Sequence, residues 1–237
     1  MSIRPAFAFL TSLGGARDPE PGMVRWFPVV GAAVGAAVGG SWWLAARIWP
    51  PGVAAAVAVA VDLGVTGLLH ADGLVDAADG LLPHLPRERR LAVMREPAVG
   101  AYGIAVGAAV LLLRFTALAA LHVDVLLIMA VWCASRTAMA VAPSVVPYAR
   151  SDDGGIATGM FDGAWQPIAL YGVAVAFVLG AVASGWSGAA AVAACFAGAA
   201  AVVFLGRRKL GGFTGDVLGA AGLVGETLAL LVAAAKW

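Results

Sequence analysis

Seven runs of apolar residues divide this chain, over positions 29–48, 53–69, 99–121, 125–146, 168–184, 189–205 and 217–235. A helix needs about 20 apolar residues to cross the hydrocarbon core of a bilayer. In hydrocarbon the backbone must satisfy its own hydrogen bonds, and a helix does so within one segment. The runs therefore predict an all-α, polytopic integral membrane bundle of about seven transmembrane helices. The second run is the shortest and carries Asp62, so it is expected to tilt or to extend beyond the hydrocarbon. Composition agrees: of 237 residues, 62% are apolar and 12% charged, against about 25% charged in a soluble domain. A disordered chain, a nucleic-acid binder and a cytosolic enzyme are all disfavoured. Residues 1–237 read as a single membrane-embedded domain.

Charge placement orients the bundle. Arg4, Arg17, Arg25, Arg87, Arg89, Arg90, Arg95, Arg150, Arg207, Arg208 and Lys209 fall on one side if seven spans alternate. The other side carries only Arg47 and Lys236, and Arg114 and Arg136 lie within spans. Positive charge is retained in the cytoplasm, so the amino terminus and the long polar loops are expected there. Gly31, Gly35 and Gly39, four residues apart, make a face for close helix packing. Cys133 and Cys195 sit in apolar runs without metal-ligand spacing and read as buried thiols. The short run 5–13 is expected at the interface or re-entering the membrane.

The polar islands carry the chemistry. Asp72, Asp76 and Asp79 stand at i, i+4 and i+7, which on a helix places three carboxylates on one face. Like charges at this spacing destabilise a helix, and a divalent cation with hard oxygen ligands would offset their repulsion. Mg²⁺ usually shares its site with a substrate phosphate, so the pattern points to phosphoryl or nucleotidyl transfer. His70, two residues earlier, is a candidate base or hydrogen-bond partner. Arg87, Arg89, Arg90 and Arg95 follow in a basic loop able to bind phosphate or anionic lipid. Gly100 and Gly103 would let the next helix start near a bound anion.

Arg136 lies deep in a span, with a substrate role or a pairing to Asp62 or Glu226 open to it. Arg150 opens a polar loop with Asp152, Asp153 and Asp162, which has the composition of a substrate lid. Around Thr214 and Asp216, glycines suggest a backbone cradle for an anion, with Asp216 a metal ligand or proton acceptor.

These stretches resemble the cobalamin synthase (adenosylcobinamide-GDP ribazoletransferase) family. Residues 69–80, Leu-His-Ala-Asp-Gly-Leu-Val-Asp-Ala-Ala-Asp-Gly, look like its signature. The runs 87–95, 100–103, 135–136, 147–150 and 211–220 match it in order, as do 9–11 and 26–31, so the resemblance spans essentially the whole chain. The chain departs from the family at Ser12-Leu13-Gly14-Gly15, where an arginine and a proline-containing turn are usual, and at Glu96-Pro97, where Asp-Ser is more common.

The resemblance implies a Mg²⁺-dependent transferase that joins adenosylcobinamide-GDP to α-ribazole or its 5′-phosphate and releases GMP. It implies Asp72, Asp76 and Asp79 as metal ligands, with one of them, His70 or Asp216, taking the ribose hydroxyl proton. Arg87, Arg90, Arg95, Arg136, Arg150 and Thr214 are the expected substrate contacts. Expected partners are the corrinoid and ribazole substrates, membrane lipid, further copies of the chain and other corrinoid-pathway enzymes, and no nucleic acid. Two other readings are a CDP-alcohol phosphotransferase and an ion-coupled transporter using Asp62, Arg114, Arg136 and Glu226. The first is weakened because Asp79 follows Asp76 by three residues and no arginine follows Ala77-Ala78. The second is weakened because the polar islands gather on one side.

Overall fold

The computed structural model describes residues 2–15, 20, 22–150 and 165–236, and among them every named element is helical. α1 (Arg4–Leu10) and a 3₁₀ turn (Met23–Trp26) precede α2 (Phe27–Ala45), α3 (Pro51–Val65) and α4 (Leu69–Leu81). α5 (Arg87–Val93), α6 (Ala101–Ala120) and α7 (Val125–Val145) follow. The helical stretch Trp165–Leu210 leaves helical geometry at Ser184 and at Gly185, whose φ is +61°. It therefore divides into α8 (residues 165–183) and α9 (residues 186–210). These limbs fold back on each other so closely that a Cβ on Gly180 would lie 2.8 Å from the Gly188 carbonyl oxygen. α10 (Gly215–Ala233) closes the bundle.

Five of these helical stretches are long and apolar enough to cross a membrane, or six if α3 and α4 count as one bent span. α7 and α10 are the central helices: 72% and 67% of their most apolar windows are buried, against 22% for α6. The glycine stripe of α2 lies on α7 as expected. A Cβ on Gly35 would come within 2.7 Å of Met129 Cα, and one on Gly39 within 3.1 Å of Val125 Cα. Both cysteines are free and buried.

Two expectations need correction. The second apolar run does not continue to residue 69: α3 stops at Val65 and the chain turns by 87° into α4. Gly67 and Leu68 make the turn with φ of +57° and +63°. The carbonyls freed at a helix end need partners, above all near lipid. Ser12 supplies them: its amide donates to Val65 O at 2.8 Å and its hydroxyl to Gly64 O at 2.8 Å. The residue that departs from the family pattern thus caps the bend. Second, the basic loop is partly a helix, α5, which starts after Pro86 with Glu88 in its first turn, where the helix dipole favours an acid.

Asp62, Arg114, Glu226 and Arg136 form one connected chain of charges inside the bundle. Arg114 donates to Asp62 Oδ2 at 2.6 Å and to Glu226 Oε2 at 2.9 Å. Arg136 donates to Glu226 Oε1 and, at 2.7 Å, to Ser135 Oγ. Trp132 donates its indole N–H to Asp62 Oδ1 at 2.8 Å. Two acids and two arginines from α3, α6, α7 and α10 thereby neutralise one another out of water. Of the two pairings open to Arg136, the structure has Glu226.

The connections separate by end. Ser184 Oγ donates to Asp124 Oδ2 at 3.2 Å, joining the α8–α9 turn to the α6–α7 turn. Exposed Trp43, Trp49 and Trp186 ring this end, as aromatic residues do at a membrane interface. The longer polar connections meet at the opposite end.

Candidate active site

α4 and α10 meet through small residues. A Cβ on Gly73 would lie 3.1 Å from Asp216 Cα and 3.1 Å from its carbonyl oxygen, and one on Gly219 would lie 3.4 Å from His70 Cα. This approach brings the first turn of α10 against the acidic helix. Asp76 stands within electrostatic reach of Asp72, Asp79 and Asp216, and of Arg150. Asp216 in turn feels Arg150, Asp72 and Arg95. Asp72 is exposed and Asp76 and Asp216 are half-buried, so their carboxylates remain reachable from the bundle end.

Asp79 is used differently. It is 7% exposed, and its carboxylate accepts the Gly100 amide at 2.7 Å and the Gly103 amide at 2.9 Å. Gly100 and Gly103 do begin a helix at an anion, but that anion is Asp79, which caps α6. Glycine is required here, because a Cβ on either residue would fall 2.5 Å from an Asp79 oxygen.

The basic residues divide in the same way. Arg87 donates through Nε to Leu210 O at 2.7 Å and through Nη2 to Ala149 O at 2.8 Å. It thereby stitches the segment after α7 to the end of α9. Those segments also pair directly, with Ala149 N donating to Phe213 O at 2.8 Å and Phe213 N to Pro147 O at 2.9 Å. Arg90 is 5% exposed and donates through Nη1 to Gly80 O and Leu81 O, both at 2.8 Å, capping α4. Arg89 pairs with Glu96 at 2.8 Å, which gives a structural use to the second departure from the family pattern. Arg150 is aimed at the acids: its Nη2 lies 3.5 Å from Asp216 Oδ2, and its Nε and Nη2 are buried without a hydrogen-bond partner. A cavity of about 270 Å³ with a net basic lining opens beside it, formed by Arg87, Arg95 and Arg150 with Glu88, Leu91 and Ala92.

Three other candidates face inward. Thr214 is fully buried and caps α10, its hydroxyl accepting the Val217 amide at 3.2 Å and donating to Asp216 Oδ2 at 3.3 Å. The glycine-rich stretch around it is a pairing surface for residues 147–149: a Cβ on Gly212 would lie 2.8 Å from Ala149 N. Arg136 is 2% exposed and committed to the interior charge chain. His70 is 2% exposed, and both of its ring nitrogens lack a hydrogen-bond partner. Residues two positions apart on a helix point about 200° apart, so His70 is buried against α10 while Asp72 is exposed at the bundle end. The lid expected over Asp152, Asp153 and Asp162 lies outside the described residues.

Arg114 was the role least visible beforehand. Its only signal was a charge inside an apolar run, yet it joins both interior acids.

Among the described residues no three His, Cys, Asp or Glu side chains form a ready-made metal cage. Mg²⁺ does not require one, since it commonly binds one or two carboxylates and completes its shell with water and substrate phosphate. Asp72 and Asp76 on α4, with Asp216 across the close Gly73 contact, fit that partial donor set in chemistry and accessibility.

The family profile described as Cobalamin-5-phosphate synthase matches residues 2–234. Similar proteins bearing the name adenosylcobinamide-GDP ribazoletransferase occur in several bacteria. That of Deinococcus radiodurans is 36% identical, with 97% of this chain and 84% of the relative aligned. That of Bradyrhizobium diazoefficiens is 34% identical over 99% and 93%, and that of Ralstonia nicotianae is 38% identical over 93% and 87%. No solved structure matches the chain.

Proposed function

The chain belongs to the cobalamin-5-phosphate synthase family, and we infer from this membership that it is an adenosylcobinamide-GDP ribazoletransferase. It joins adenosylcobinamide-GDP to α-ribazole, or to α-ribazole 5′-phosphate, and releases GMP. The observation that carries the siting of this reaction is the meeting of Asp72, Asp76 and Asp216 with Arg95 and Arg150 at one end of the bundle.

The ribose 3′-hydroxyl oxygen forms a bond to the phosphorus on the corrinoid arm. The bond from that phosphorus to the oxygen of GMP breaks, and the hydroxyl proton leaves to a base. Asp216 is the base we favour over His70, because its carboxylate is reachable and His70 is sealed against α10. Arg150 offers two buried N–H-bearing nitrogens to a phosphate oxygen, and the cavity it shares with Arg95 accommodates the diphosphate. Asp72 and Asp76 would hold Mg²⁺, which supplies positive charge to the diphosphate and the leaving GMP when bound. Asp79, Arg87, Arg90, Thr214 and Arg136 act by holding these groups in place.

We count seven passes by taking α3 and each limb of the α8–α9 hairpin as one crossing, and place the reactive end in the cytoplasm of a prokaryotic cell, within the inner membrane. The basic residues at that end support this orientation. Protein in nanodiscs, given both substrates, should form a cobalamin and one GMP for each product molecule. Folded protein that forms neither would overturn the reading.

A further inference from the structure

A further cavity has none of Asp72, Asp76, Asp216, Arg95 or Arg150 in its lining. It is a groove of about 490 Å³ between α7 and the α8–α9 hairpin. Ala138 and Ala142 of α7 and Ala199 of α9 form its small-residue floor, with Phe196 and Phe204 as walls. α7 and the stretch that forms α8 and α9 are long and apolar enough to cross a membrane, which suits a groove open to hydrocarbon. The groove runs from the middle of α7 toward the reactive end, where Arg207 closes it, followed by exposed Arg208 and Lys209.

Polar ligands find little here. The one lining hydroxyl, of Thr137, is already spent on Cys133 O at 2.7 Å. A ligand must therefore be hydrocarbon along its length and anionic at one end. We propose that this groove is a binding site for one acyl chain of an anionic phospholipid, whose phosphate pairs with Arg207. Charge complementarity fixes the direction: the chain lies along Ala138–Ala142 and the headgroup sits at the basic rim of Arg207, Arg208 and Lys209, which attracts anionic lipid. The site is independent of the transferase reading.

Native mass spectrometry tests it on the full chain in mild detergent, supplied with equal phosphatidylglycerol and phosphatidylcholine. The wild type should carry one phosphatidylglycerol in several-fold preference to phosphatidylcholine. Ala200→Trp, which fills the groove, should lose the adduct, and Arg207→Gln should bind both lipids equally. Should Ala200→Trp fail to fold, judged by its melting curve, Ala138→Phe fills the groove from the α7 side and should give the same loss. The proposal is overturned if the filled variants keep the adduct or if the wild type shows no headgroup preference. Displacement of the lipid by α-ribazole would also overturn it and assign the groove to substrate. A doubled mass without lipid would assign the groove to a second copy of the chain.

Discussion

Asp79 on α4 accepts the backbone amide of Gly103 at 2.9 Å, so a carboxylate of the acidic signature caps the next membrane helix. Three aspartates at regular spacing thus split into two roles, with Asp72 and Asp76 at the reactive end and Asp79 built into the scaffold.

Substitution should separate those roles. Asp79→Ala removes two charged hydrogen bonds and should cost about 2 kcal/mol of stability, read as a lowered melting temperature. Asp76→Asn should leave melting unchanged and abolish turnover. Equal melting temperatures for both variants would contradict the division.

Gly103→Ala should be damaging despite its small size. Its Cβ would lie 2.5 Å from Asp79 Oδ2 and 2.7 Å from Val75 Cγ1. Overpacking of this kind costs about 1–3 kcal/mol. Thermal denaturation in nanodiscs should show the loss, whereas Gly215→Ala, with open space at its Cβ, should melt like the wild type.

Removing Arg114 strands buried Asp62 and leaves Glu226 with Arg136 alone. Arg114→Met should cost about 3–5 kcal/mol, as expected when one partner of a buried ion pair is lost. Adding Asp62→Asn should recover part of that loss, because it removes one stranded charge and keeps an acceptor for Trp132. Comparison of folded yield and melting temperature checks this, and a double variant no better than the single one would refute it.

Arg87 positions Arg150 from a distance. A lysine has one nitrogen where Arg87 reaches Leu210 O and Ala149 O with two. Arg87→Lys should raise KM for adenosylcobinamide-GDP more than it lowers kcat, while Arg150→Lys should lower both. Steady-state kinetics on the two variants distinguish these outcomes.

The long apolar runs made the all-helical membrane fold legible, because hydrocarbon leaves the backbone few alternatives. Gly31, Gly35 and Gly39 were legible as packing for the same reason. The right-angle bend after Val65 was not, since it depends on Ser12, more than fifty residues away. Arg87 and Arg90 read as phosphate ligands because a sequence displays charge but hides the distant carbonyls that satisfy it. Gly100 and Gly103 suggested a helix start beside a bound anion, and spacing alone did not reveal that the Asp79 carboxylate takes their amides. The pairing of Arg136 with Glu226 was among the alternatives because so few charges lie within the spans. Arg114 escaped notice as their bridge because contacts among four helices leave no local pattern.

The central claim is that Asp72 and Asp76 hold the cation under which GMP is released. The direct measurement is GMP release from adenosylcobinamide-GDP and α-ribazole by purified protein in nanodiscs, with Mg²⁺, with EDTA, and with Asp76→Asn in Mg²⁺. The account predicts GMP matched by new cobalamin in the first case, none with EDTA, restoration when Mg²⁺ is returned, and none from the folded variant. Undiminished GMP release in EDTA, or from Asp76→Asn, would contradict it.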